Sequence, residues 1–444
     1  MRVFLRLWAG QSASLIGSAL TSFALGVWVY QQTGSVTRLG LVYLLVFLPG
    51  ILLAPIAGAL VDRLDRRVVL FATNTAGLLC ASALAALYAG GALAPWHVYV
   101  TTAVTSVLAA VQTPAVGASV GLLVGREGLG RANGLIMLAQ SVAQIVGPLA
   151  GGFLLATLEL SGLILLDALS FVVALVFLCT VRLPRPERAP APEGGQHTSL
   201  LAETAASWRY VAARQGLVAL LVFYAVLNFA VGFVDVLITP VVLGFAPTQA
   251  LGTVLAVGGI GMVIGSLVMS AWGGPRRRVH GVLLFSMILG LALCAGSLRP
   301  NLILIGGAAF AFLFCSAIIN ASNRSIWQAK VEPALQGRVI SLENMVAMAP
   351  LPIAYLLAGP LADHVLRPLV AAGGGFTRFV GALVGAGPDR AMALLLFGSG
   401  LLAVLASAAG YLYPRLRRID TELADALPDQ PSAPPRRLPA PVEP

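Results

Sequence analysis

Long apolar runs separated by short charged breaks organise this chain of 444 residues. A helix needs about 20 predominantly apolar residues to cross a hydrocarbon core, and twelve stretches meet that length. Six lie near 9–30, 40–61, 69–91, 97–122, 134–156 and 160–181. Six more lie near 216–238, 251–272, 279–298, 302–322, 343–365 and 391–413. Between the groups, residues 182–214 open with RLPRPERAPAPEGGQ, a composition that predicts irregular backbone up to a short amphipathic helix near Leu200 to Arg214. The segment after Arg418 is Pro-rich, carries both charges and reads as disordered. The pattern therefore predicts an all-α membrane protein of twelve transmembrane helices in two six-helix halves. The first half spans 1–181, a linker 182–214, the second half 215–413, within which Arg367 to Arg390 reads as a long external loop, and a tail 414–444.

Composition supports the bilayer as solvent. The chain is 58% hydrophobic and 10% charged, against roughly 25% charged in an ordinary soluble domain. The 28 basic residues outnumber 18 acidic ones, yet they cluster in loops between apolar runs, which argues against nucleic acid as a partner. With the N-terminus inside, only Arg38, Arg299, Arg367, Arg378 and Arg390 fall outside, so the positive-inside rule places both termini in the cytoplasm. Cys80, Cys179, Cys294 and Cys315 each lie within an apolar run, and the histidines (His97, His197, His280, His364) are scattered, so no metal or cofactor site is indicated. The first apolar run is as long as a full span and lacks a cleavage site, so it is expected to stay in the protein.

The two halves echo each other. Leu39-Gly40 opens the second run and Leu251-Gly252 the eighth. Asp65-Arg66-Arg67 follows the former, Gly273 to Arg278 (GGPRRR) the latter, and displacement by 212 residues places Arg66 on Arg278. LGRA (Leu129 to Ala132) and QGRV (Gln336 to Val339) precede spans 5 and 11, and each span then carries Gly-Pro-Leu-Ala, at Gly147 to Ala150 and Gly359 to Ala362. Parallel repeats of six helices are an arrangement in which halves rock about a central cavity.

The run GALVDRLDRRV (Gly58 to Val68) resembles the loop between helices 2 and 3 of major facilitator superfamily transporters. The opening FLRLWAGQSASLIGSALTSFALGVWVYQQTGS, with LVDRLDRR, GRANGL and IWQAKVEPALQGRV, is similar to the macrolide-efflux and enterobactin-exporter branch. Within it the chain looks closest to exporters found beside nonribosomal peptide and polyketide synthesis genes. The resemblance covers roughly Arg2 to Leu427. It implies export of an amphipathic natural product or siderophore and a bacterial inner membrane, and it makes Gly58, Asp62, Arg63, Arg66 and Arg67 a gating loop in which Asp62 meets span 11. Asp65 stands where the family usually has glycine.

Asp167 lies within span 6. An acid at helix centre costs roughly 2.5–3.5 kcal/mol on insertion scales, so it requires a partner, water or a proton, and it is a candidate for proton coupling beside a purely structural role. Asp235, near the outer end of span 7, is the second candidate. Asn228 lies two turns before it on the same face, which is placed either on the cavity or on outside water. The drug-antiporter acid of span 1 and arginine of span 4 are absent, since Gly17-Ser18 occupies the former and residues 97–122 hold no arginine. Gly147, Pro148, Gly151 and Gly152 resemble the antiporter motif of span 5, with simple packing as the alternative. Gln11, Gln140, Gln144, Asn228 and Asn320 are cavity candidates as uncharged hydrogen-bonding groups, with hydrogen bonding between helices as the alternative for Gln11, Gln140, Gln144 and Asn320. Arg131, Lys330, Arg338 and Glu343 are expected to form networks on the cytoplasmic approaches to spans 5 and 11.

These readings converge on a secondary transporter, expected to be monomeric, that exports an amphipathic small molecule by alternating access with protons as the counter-ion and lipid as surroundings. A lipid or lysolipid flippase, or an uptake carrier, is the rival on the same fold. A membrane acyltransferase would need clustered His, Asp or Cys, and the sequence has no such cluster; nor does it contain a G-x-x-x-x-G-K-[ST] loop for ATP.

Overall fold

A computed structural model of the chain describes residues 1–124, 128–181, 200–333, 335–372, 375–385, 390–423 and 425–426. The side chains of residues 2, 54–63, 121–122, 200–204, 376, 379 and 383 are outside the described set. The first half comprises α1 (Arg2–Thr33), α2 (Val36–Arg63), α3 (Arg66–Ala89), α4 (Pro95–Leu123), α5 (Leu129–Thr157) and α6 (Glu159–Thr180). The linker contributes α7 (Leu200–Ala212), the amphipathic helix the sequence pattern places there. The second half follows as α8 (Gln215–Leu243), α9 (Thr248–Trp272), α10 (Arg278–Ser297) and α11 (Leu302–Lys330). Its fifth span is broken into α12 (Gln336–Met348), α13 (Pro350–Pro360), a wide turn over Leu361–Leu366 and α14 (Arg367–Ala371). Pro350 and Pro360 lack the amide donors an unbroken ladder requires. After α15 (Gly375–Val384), α16 (Arg390–Leu412) is the last span. Among the described residues, twelve helices are long and apolar enough to cross a membrane.

Successive spans alternate direction. Arg66, Arg67, Arg278 and Lys330 gather at one end, the basic end, together with the first residues of α1 and the last of α16. Gly34, Arg299 and Asp363 mark the far end. Asp65 caps α3 by accepting from the Arg67 amide at 2.9 Å. Arg66 donates through Nη1 to Ala118 O at 3.0 Å, and its repeat partner Arg278 donates to Ser325 O at 3.4 Å. Each matched arginine thus anchors the basic end of the neighbouring helix.

The repeated motifs meet crosswise where the halves touch. A Cβ on Gly252 of α9 would lie 2.6 Å from Pro148 O of α5, and one on Gly152 would lie 2.9 Å from Gly252 Cα. On the other side, a Cβ on Gly40 of α2 would lie 2.6 Å from Tyr355 O of α13, and Gly359 packs directly on the Thr37 backbone. Gly252 of the second half therefore faces the Gly-Pro-Leu-Ala segment of the first, and on the other seam the helix turns that hold Leu39-Gly40 and Gly359 meet through Tyr355 and Thr37. Between helices in lipid, association rests on such close approach.

Two expectations require correction. The tail expected to be disordered after Arg418 is built at its start: α17 (Pro414–Arg417) and α18 (Ile419–Glu422) fold back on the basic end with Leu416 and Ile419 buried. Residues 427–444 lie outside the described set. The stretch from Arg367 to Arg390, read as a long loop, is largely helical, and Val380 and Val384 of α15 pack on Val370, Ala391 and Ala393. The apolar periodicity of GFTRFVGALV supplies the buried face.

Placing Ala at Gly252 is expected to destabilise by roughly 1–3 kcal/mol, the range for overpacking. Gly306→Ala, where a Cβ meets nothing within 4 Å, serves as the control and is expected to be neutral or mildly stabilising. Thermal unfolding in detergent reads both.

Candidate functional site

A cavity of about 640 Å³ runs through the first half from Phe4, Trp8 and Asn133 near the basic end to Leu25 and Leu84. Hydroxyl groups of α1 and α4 and the amides of Gln11, Gln112 and Gln140 punctuate an otherwise apolar wall. Among its described lining residues Asp167 is the only acid and no Arg, Lys or His occurs; Cys80 is the one other titratable group there.

Asp167 is positioned by close contact of α1 with α6. Gly17 lets the backbone of α1 come against Ser170 and the Asp167 Cα. Ser18 Oγ then donates to Asp167 Oδ1 at 3.0 Å, Ser170 Oγ donates to the Asp167 carbonyl at 2.7 Å, and Thr21 Oγ1 donates to Leu163 O at 3.1 Å. The carboxyl is 6% exposed, on the wall of the cavity. Further towards the basic end Gln112 Nε2 donates to Gln11 Oε1 at 2.5 Å, leaving Gln11 Nε2 buried without an acceptor.

The other amide candidates are distributed differently. Gln140 lines the cavity, whereas Gln144, one turn further along α5, is exposed outside it. Asn228 and Asn320, offered as cavity groups, instead join helices of the second half: Asn228 Nδ2 donates to Ala347 O at 2.9 Å, and Asn320 Oδ1 accepts from the Tyr224 hydroxyl. In an apolar surround each amide takes the neighbouring helix's available partner. Asp235 lies on the same face of α8 as Asn228, and that face turns to α12 and α13, where Tyr355 OH donates to Asp235 Oδ2 at 2.9 Å. The Tyr355 ring lies against Tyr43 and Phe47 of α2, centroids 5.9 and 5.8 Å away, so Asp235 sits beside the seam between the halves.

The network expected among Lys330, Arg338 and Glu343 is divided. Glu343 accepts from Asn323 Nδ2 at 3.0 Å. Lys330 turns to the tail: its ammonium donates to Asp420 O at 2.9 Å and to Leu423 O, and pairs with Asp425 Oδ1 at 2.8 Å. Three converging acceptors suit the three donors of a lysine. Arg338 and Arg131 sit exposed on the first turns of α12 and α5. Gly58, Asp62 and Arg63 fall in the last turns of α2, and their side chains lie outside the described residues. Gly147 and Gly151 pack on Ala19 and Phe23 of α1, while Pro148 and Gly152 form the seam with α9.

The sequence reading missed a polar cluster at the far end. Asp363 Oδ2 accepts from Ser35 Oγ at 2.8 Å, from the Thr37 amide at 2.8 Å and from Thr37 Oγ1 at 2.9 Å. Its Oδ1 accepts from Arg367 Nη1 at 2.8 Å, and that nitrogen also donates to Gly34 O at 2.9 Å. The donors belong to the α1–α2 turn of the first half, and the acid and arginine to the second. Gln31 Nε2 adds a contact to Thr248 Oγ1 at 3.3 Å. A Ser-x-Thr turn read beside the acid that ends the second Gly-Pro-Leu-Ala segment was the available signal.

Comparisons with known proteins agree with this architecture. Macrolide efflux protein A of Streptococcus pyogenes is 27% identical over 373 residues, covering 82% of this chain and 90% of the relative. The multidrug efflux pump Tap of Mycolicibacterium fortuitum is 28% identical over 371 residues, 78% of this chain and 86% of Tap. The enterobactin exporter EntS of Shigella boydii is 29% identical over 342 residues, 74% and 78% of the two chains. Among solved structures, a bacterial homologue of the human lysosomal transporter Spinster, inward-facing and unoccupied, superposes with a TM-score of 0.70 at 15% identity over 94% of this chain and 97% of that one. The nucleoside transporter NupG gives 0.69 at 14% identity over 93% and 100%. The sequence profile of the Major Facilitator Superfamily matches residues 7–354, and the chain is a multi-pass membrane transporter that belongs to this superfamily.

Proposed function

We propose that the protein exports an amphipathic small molecule, neutral or positively charged, from the cytoplasm by alternating access, driven by exchange for protons. The observation that carries this reading is the cavity in which, among the described lining residues, Asp167 is the single acid and no basic side chain occurs. An anionic cargo would meet an acid there with no counter-charge. A neutral or cationic one finds hydroxyls, amides and one carboxyl able to hold either a proton or a positive group, and occupation by one displaces the other. That competition at one carboxyl is the elementary form of exchange. The efflux names of the relatives support the outward direction, and the placement of arginines supports a cytoplasmic basic end in a bacterial inner membrane.

Alternation requires contacts that hold one end shut and can be released. The Asp363 cluster has that form. Hydrogen bonds to a charged group contribute about 1.5–3 kcal/mol each, and inverting a 1:99 population takes about 5.5 kcal/mol. Loss of the cluster is therefore large enough to change which state dominates. In this scheme a state tied at the far end is the one that receives cargo from the cytoplasm. The six-helix halves, 1–181 and 215–413, are the moving bodies of this scheme, with 182–214 joining them.

Two outcomes are expected. Asp167→Asn abolishes efflux that depends on the proton gradient, by roughly tenfold or more (about 1.4 kcal/mol per factor of ten), in cells loaded with an amphipathic fluorescent dye with and without the imposed gradient. Unchanged gradient-driven efflux in this variant would overturn coupling at Asp167; the corresponding bet then moves to Asp235. Asp363→Ala shifts the protein toward a far-end-open state, read by pulsed electron spin resonance between labels at Arg38→Cys and Arg299→Cys as growth of the longer distance.

A further inference from the structure

The turn of chain that follows α16 forms a strap across the basic end of the second half. Its inner side is fixed by three separate devices. Leu416 and Ile419 are buried, and the backbone at Arg415 comes so close to the first turn of α8 that a Cβ on Gly216 would lie 3.1 Å from Arg415 O. The Asp420 carboxylate accepts from the Val279 amide at 3.0 Å, so it caps α10 as Asp65 caps α3. Lys330, the chain's sole lysine and 5% exposed, is held by Asp420 O, Leu423 O and Asp425. The outer side of the strap carries Arg415, Arg417 and Arg418, all exposed.

Directly beside these arginines an apolar groove of about 480 Å³ lies between α8 and α16. Val218, Val222 and Val226 form one wall as a stripe at helical spacing. Ala406, Ala409 and Gly410 form the other, and their small side chains leave the space open. Tyr413 and Leu416, which flank Arg415, close the end. The order along the chain sets the depth: Leu412 is 82% exposed, Tyr413 follows, then the arginines. An exposed apolar residue, a tyrosine and a basic cluster in succession are the arrangement found where hydrocarbon gives way to headgroups. The groove is thus at acyl-chain depth and the arginines at phosphate depth.

We propose that this is a binding site for one anionic phospholipid, with an acyl chain in the groove and the headgroup phosphate on Arg415, Arg417 and Arg418. Charge complementarity selects the occupant, because a basic platform fixed at the mouth of an apolar slot matches an anionic head joined to an apolar tail. The anchored strap holds the arginines in register with the groove, which separates this site from the basic residues elsewhere at the same end. Arg276 and Arg277, also exposed, are set apart from the residues that line this groove.

The test is native mass spectrometry of the purified full-length chain from mixed micelles holding equal phosphatidylglycerol and phosphatidylcholine with the same acyl chains. The expected result is one retained phosphatidylglycerol in preference to phosphatidylcholine by roughly fivefold or more. Arg415→Gln/Arg417→Gln/Arg418→Gln brings the ratio to about one, and Ala409→Phe, which fills the groove, lowers retention of both lipids. Arg276→Gln/Arg277→Gln leaves the preference intact, and thermal unfolding of every variant confirms the fold. Equal retention of the two lipids by the native chain, an unchanged preference in the triple variant, or an equal loss in the Arg276/Arg277 variant would each overturn the proposal.

Discussion

Backbone-to-backbone contact between the halves at Gly252 with Pro148 and at Gly40 with Tyr355 is the constraint on which the rest of this molecule depends. In hydrocarbon there is no gain from burying one apolar helix against another, so two helix pairs stay together only through close van der Waals approach and hydrogen bonding. Glycine supplies the approach. At Gly252 and Gly152 it also leaves no side chain to interlock across the contact. In the proposed scheme the decision between closed and parted states then passes to polar groups at the rim, and at the far end that group is Asp363.

The pseudo-symmetry extends to the seams. The same two motifs, Leu-Gly and Gly-Pro-Leu-Ala, lie beside them once from each half, so the two seams are near copies of each other. The polar rim breaks the symmetry. Ser35 and Thr37 sit at the turn preceding the first Leu-Gly pair and receive Asp363 from the second half, whereas the equivalent turn before Leu251 contributes only Thr248, to Gln31. The cavity breaks it too, since the acid that lines it belongs to the first half alone. Asp235 on the other half is taken up by Tyr355 at the seam.

Which of these features the sequence disclosed follows from how local their chemistry is. Span count, the amphipathic α7 and the repeated glycine motifs were legible because apolar length and glycine or proline spacing act within a few residues. Asp167 stood out because an acid inside an apolar run requires a partner, water or a proton. The Asp363 cluster was not, because its partners stand 326 and 328 residues away, and short polar residues at a helix end look like any turn. Asn228 and Asn320 were placed in the cavity because an amide within a span has two outlets, cargo or a neighbouring helix, and only packing decides. Lys330 was noticed, but its partners were sought in α12. Its acceptors are mostly main-chain carbonyls of a tail whose Pro-rich continuation masked the ordered turn before it.

The clasp at Lys330 shows how a polar end can be made rigid without a core. Arginine serves nearly every other basic position in this chain, and its planar fork suits one flat acceptor pair. Here the acceptors are two carbonyls and a carboxylate converging from different turns, a set that an ammonium satisfies and a guanidinium does not. Because the Asp420 carboxylate also caps α10 and Tyr210 of α7 donates to the Lys330 carbonyl at 3.4 Å, contacts centred on Lys330 and Asp420 tie α10, α11, the linker helix and the strap together. The second half thus presents a fixed basic end to the linker, and under the proposed alternation rearrangement would be directed to the seams.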